Sequence, residues 1–158
     1  MSKIPEKEIA QFGAHVTTNS TMIFISVTLF TFIITLNAEL LRNNLLLSIQ
    51  IILSIILFIH SNLARSRGIV SDSSLLNNFA KSCFKIGLVL FVNSMGILIL
   101  ELISKQLSLI FFISYLLIWG IYLLTIRRAL RLKGNFGSEL ISFLIYLFLG
   151  LLVAFGVY

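Results

Sequence analysis

Charge is what this sequence has least of. Charged residues make up 11% of its 158 positions, against roughly 25% in soluble domains. A water-exposed surface built from so few would carry apolar patches that aggregate. Proline occurs once, so little interrupts a helix once it has begun. The lone cysteine, Cys83, excludes an intrachain disulfide and a four-cysteine metal site. No Asp, Glu, Lys, Arg or His falls near the middle of any long apolar run. A proton-coupled carrier needs such a group at mid-depth. Intramembrane hydrolysis needs paired acids or a nucleophile with its base, and neither is evident. Potassium-filter and nucleotide-binding motifs are also missing. These absences predict a protein that is not an enzyme.

What the sequence does have is apolar length. Hydrophobic residues reach 58%, with 14 Phe, and the mean hydropathy is +1.05. About 20 helical residues cross the hydrocarbon core of a bilayer. Five stretches qualify, over residues 21–40, 45–63, 83–103, 107–126 and 140–158. The expected fold is therefore an all-α integral membrane protein, one domain over residues 1–158 with about five transmembrane helices. Only Ser104, Lys105 and Gln106 separate the third stretch from the fourth. One helix through both would be about 66 Å long at 1.5 Å per residue, which is twice what a bilayer needs, so a tight hairpin near Lys105 is predicted. The first stretch ends without a small-x-small cleavage site around Leu36–Glu39 and reads as a retained span. Ahead of it, residues 1–20 place Ile9, Phe12 and Val16 at helical spacing and read as an amphipathic segment on the cytoplasmic face. A second short surface helix, capped by Ser71 and Asp72, is predicted to present Leu75, Leu76 and Phe79.

The basic residues set the orientation. Cytoplasmic loops collect Lys and Arg. Ten of the 12 Lys and Arg fall in the N-terminal segment and in the second-to-third and fourth-to-fifth connections; Arg42 and Lys105 are the two on the other side. That split predicts a cytoplasmic N-terminus and an external C-terminus in the plasma membrane. The net charge of +6 is thereby assigned to topology rather than to nucleic acid. Arg127, Arg128, Arg131 and Lys133 form a cluster at the end of the fourth helix that attracts anionic lipid headgroups.

Neutral polar residues recur in stripes. Thr28, Thr31 and Thr35 share a face of the first helix with Thr21. Gln50 and Ser54 share one on the second with Ser61. Ser94 follows Gly87 by seven residues and precedes Glu101 by seven, with Asn93 alongside. Such groups either hydrogen-bond between helices or line a wet path. On the fifth helix, Gly150 and Ala154 form a small-xxx-small pair suited to close helix packing. Tyr115, Trp119 and Tyr122 make an aromatic stripe on the fourth. His15 and His60 both fall on the cytoplasmic side, without a metal or haem motif, so neither metal nor cofactor is predicted.

Two functions fit. Three helices with hydroxyl or amide stripes favour a homo-oligomeric channel or small-solute permeation protein, its path shared between copies. The alternative is a non-catalytic accessory subunit that uses those stripes to dock the helices of other membrane subunits.

Overall fold

The computed structural model describes residues 6–70 and 74–130, together with residues 141, 144, 145 and 148. The described chain is helical: α1 (Glu6–Asn43), α2 (Leu45–Val70), α3 (Ser74–Leu102) and α4 (Lys105–Leu130). Each contains a stretch long and apolar enough to cross a membrane, over Gly13–Asn43, Leu45–Gly68, Ser74–Leu102 and Lys105–Thr125. This is the make-up of a multi-pass membrane protein. Of the expected fifth span, Ile141, Leu144, Ile145 and Phe148 are helical, and Ile145 packs against the core. The rest of that span lies outside the described residues.

Two short turns set the up-and-down order. Asn44 stands between α1 and α2. Its N–H donates to the Leu40 carbonyl (3.0 Å), closing α1, and its side-chain Oδ1 accepts from the Leu47 N–H (2.9 Å), capping α2. Ser104 repeats the device between α3 and α4. Its N–H donates to the Ile99 carbonyl at 3.0 Å, and its Oγ accepts from the Leu107 N–H at 3.2 Å. The hairpin expected near Lys105 thus turns at Ile103 and Ser104, and Lys105 becomes the first residue of α4.

The helices are longer than the apolar runs alone suggest. α1 is continuous through residues 6–20, so the expected surface segment and the first span are one element. No proline follows Glu6. The hydroxyls of Thr17, Thr18 and Thr21 bond back to the carbonyls of Gly13, Ala14 and Thr17, each at 2.9 Å. These threonines thus satisfy themselves inside the helix instead of competing with it. The break in α1 comes later, at Asn37, whose φ of −158° and ψ of 79° are extended. Asn37 Oδ1 accepts from the Leu40 N–H at 3.2 Å, starting a short final segment as an N-cap does. At the other connection, α3 starts at Ser74 and runs straight into its span. Leu75, Leu76 and Phe79 therefore occupy its first turns, and residues 71–73 lie outside the described residues.

Helices adjacent in sequence pack together: α1 on α2, α2 on α3 and α3 on α4. α3 is the centre, with half of its most apolar 18-residue stretch buried against 11% of that of α1. Leu47, Ile51, Val89, Ile97 and Phe112 form the core between α2, α3 and α4. Close approach relies on glycine at two points. A Cβ on Gly87 would come within 3.1 Å of the Phe58 ring, and one on Gly96 would overlap the ring of Phe112. Phe24, Phe32, Leu117 and Ile118 point outward, an arrangement that suits lipid and would aggregate in water.

Candidate functional site

The interior of the bundle holds a line of polar side chains. The Asn93 Nδ2 donates to Gln50 Oε1 at 2.9 Å, joining α3 to α2. Ser54 and Ser94 are fully buried and donate to the Ile51 and Leu90 carbonyls of their own helices. Toward one end, Asn19 Nδ2 donates to Ser61 Oγ (3.0 Å), which donates to the Ala80 carbonyl (2.8 Å), so one chain of bonds links α1, α2 and α3. At the opposite end, Asn44 Nδ2 donates to Glu101 Oε1 at 3.1 Å. Between α3 and α4, Ser108 Oγ donates to the Gly96 carbonyl at 2.8 Å. Side chains that bond across helices in this way act as interhelical links.

The polar stripes therefore divide. Gln50, Ser54, Asn93 and Ser94 come together inside one chain. Glu101 is exposed and anchors Asn44. Thr28, Thr31 and Thr35 are exposed on the outward face of α1, away from that interior, and Thr35 Oγ donates to the Thr31 carbonyl at 2.9 Å. Ser26, two residues before Thr28 and so on the opposite face of α1, points inward instead; it is fully buried and its hydroxyl has no partner. Arg127 and Arg128 lie in the final turn of α4. Arg131, Lys133, Gly150 and Ala154 lie outside the described residues.

The larger feature is a cavity of about 620 Å³ at the end of the bundle away from Asn44 and Ser104, where α1, α2, α3 and α4 all contribute. Four basic side chains line it: His15 from α1, Arg65 from α2, and Lys81 and Lys85 from α3. Its aromatic walls are Phe84, Tyr115, Trp119 and Tyr122, and Leu88 and Ile118 add apolar surface. Tyr115 and Trp119 meet edge to face, with ring centroids 5.4 Å apart. His15 lies in the field of both Arg65 and Lys81. Arg65 is only 9% exposed, and its Nε has no hydrogen-bond partner. None of the described residues lining this cavity is acidic.

Read from the sequence alone, Arg65, Lys81 and Lys85 count toward topology, and Tyr115, Trp119 and Tyr122 form a stripe with no assigned partner. A signal was available. Lys81 and Lys85 are four apart, hence on one helix face, and Tyr115, Trp119 and Tyr122 share a face at spacings of four and three. What one dimension hid is that the two faces enclose the same space. His60 is not part of it; its side chain is exposed and its Nδ1 pairs with the Ile56 carbonyl at 2.9 Å. Among the described residues no group of three or more His, Cys, Asp or Glu is placed to hold a metal ion.

No protein-family model, curated protein or solved structure matches the chain.

Proposed function

We propose that this protein is a non-catalytic subunit of a plasma-membrane assembly. In this reading it crosses the membrane five times, with the N-terminus in the cytoplasm, and joins the helices of other subunits through the outward face of α1. One observation carries the reading. The polar stripes of α2 and α3 bond inside the chain, Asn93 to Gln50 above all. On α1, by contrast, Thr28, Thr31 and Thr35 stay exposed together with Phe24 and Phe32, while Asn19 and Ser26 turn inward. Two of the three stripes that favoured a permeation path thus face each other in one protomer. Ten of 12 basic residues on one side support the orientation.

A second reading rests on Thr28, Thr31 and Thr35. Their hydroxyls lie on the exposed face of α1, where a ring of copies would turn them toward a shared path. That is the homo-oligomeric permeation protein. Mass determination in mild detergent separates the two. Copurification with other membrane proteins in fixed ratio supports the subunit. A discrete homo-oligomer supports permeation. A solitary monomer in native-lipid particles would count against both.

A further inference from the structure

The basic cavity is too highly charged to stand empty of counter-charge. Arg65 is held nine-tenths buried with an unpartnered Nε, and a buried guanidinium is costly unless an anion meets it. Lys81 and Lys85 place further positive charge around the same space, and His15 adds a ring nitrogen. The lining offers donors and no described carboxylate. An aromatic cage alone would suit an organic cation, but Arg65, Lys81 and Lys85 around the same space repel one. The volume of about 620 Å³ lies within the range of ligand pockets, roughly 300–1,000 Å³. It is several times what a bare phosphate fills. The remainder is apolar, along Leu88, Trp119 and Ile118, and Ile118 is 67% exposed, so the cavity opens on the lipid-facing side of α4.

We propose that this cavity binds an amphiphile whose phosphate headgroup carries net negative charge. Its phosphate sits among Arg65, Lys81 and His15, and its acyl chain leaves along Leu88 and Ile118. Arginine gives two parallel N–H donors to phosphate oxygens, and lysine adds a point charge. A bulk bilayer with an anionic surface would supply such a lipid at the level where these residues lie. The site does not depend on how the chain assembles.

The chain carries one tryptophan, and Trp119 lines the cavity, so its fluorescence reports occupancy directly. The experiment titrates the full chain, in nonionic detergent, with dioctanoyl phosphatidic acid. Dioctanoyl phosphatidylcholine and inorganic phosphate run in parallel. Saturable change with phosphatidic acid, absent with phosphatidylcholine, is the expected result. Arg65→Gln should weaken binding by at least about tenfold, as a lost charge-assisted hydrogen bond does. Lys81→Gln, at an exposed position that tolerates change, should weaken it several-fold and serves if Arg65→Gln fails to fold. Arg42→Gln at the opposite end should bind as wild type. Equal response to phosphatidylcholine overturns the proposal, as does wild-type affinity in Lys81→Gln. Inorganic phosphate binding as tightly as phosphatidic acid overturns the lipid assignment, because the apolar wall would then contribute nothing.

Discussion

Asn93 on α3 and Gln50 on α2 share one hydrogen bond of 2.9 Å where both are buried, and each keeps one unsatisfied group. Gln50 Nε2 and Asn93 Oδ1 have no partner. The pair therefore fixes how the two central helices meet while leaving a donor and an acceptor stranded. Interhelical bonds of this kind average about 0.6 kcal/mol in membranes and reach about 1.7. Gln50→Leu should lower stability by an amount in that range, because Asn93 then loses its partner. Replacing both residues with Leu should recover most of the loss, since no buried polar group remains unpaired. Unfolding in SDS titrations of the two single mutants and the double mutant gives the coupling. Additive losses would mean the bond contributes little.

Asn44 does three things at once. It closes α1, caps α2 and donates to Glu101 on α3. Asn44→Ala removes the cap and the interhelical bond together. The cap is worth about 1 kcal/mol, so the variant should lose about 1–2 kcal/mol. Glu101→Gln keeps an acceptor at the same place and should stay near wild type. A Glu101→Gln loss as large as that of Asn44→Ala would show that the carboxylate charge, not the bond, matters.

The contact of α3 with α4 rests on the missing side chain at Gly96. A methyl there would overlap the Phe112 ring. Packed interiors tolerate this poorly, and overpacking costs roughly 1–3 kcal/mol. Gly96→Ala should destabilise by that amount, and the double change with Phe112→Leu should recover part of it. If Gly96→Ala melts as wild type, the two helices are not held this closely in the membrane.

How much of this was readable in the sequence follows from what each signal depends on. Helix number and type come from apolar length and the scarcity of proline, which are one-dimensional, so four spans and their hairpins were legible. Span ends were not. The threonines at 17, 18 and 21 look like helix breakers by type, but their hydroxyls fold back onto the helix and extend it. The pairing of Gln50 with Asn93, 43 residues apart, was visible only as two stripes without a direction. The cavity was least legible, since it needs four helices to close around it. His15, Arg65 and Lys81 were visible as charges, whereas their convergence belongs to packing.

Orientation is testable without purification. If the charge split governs insertion, a reporter active only outside the cytoplasm should be active when fused after Tyr158, and also when inserted at the Ser104 turn. A cytoplasmic reporter should be active at the N-terminus. A silent external reporter after Tyr158, with a working cytoplasmic one at the same position, would leave an even number of spans.

The threonine face decides between assembly and permeation. Thr31 lies near the middle of the α1 span and is exposed, and its neighbour Thr35 already returns its hydroxyl to the Thr31 carbonyl. Thr31→Val changes polarity at nearly constant volume. If α1 faces partner helices, the change should cost about 0.6 kcal/mol or less, and liposomes holding the wild type should leak no faster than empty ones. If α1 lines a path between copies, wild-type liposomes should conduct. Thr31→Val should then cut that flux sharply, because an apolar ring at a narrow level favours dewetting. The measurement is flux of monovalent cations, divalent cations and chloride, wild type and variant side by side, with oligomer size checked in each. Flux that falls in Thr31→Val at unchanged oligomer size would reverse the preferred reading. Wild-type conduction that survives the change would put the path elsewhere than this face. Since Gln50, Ser54, Asn93 and Ser94 are already bonded or buried within one chain, that outcome would require the α2–α3 pair to open.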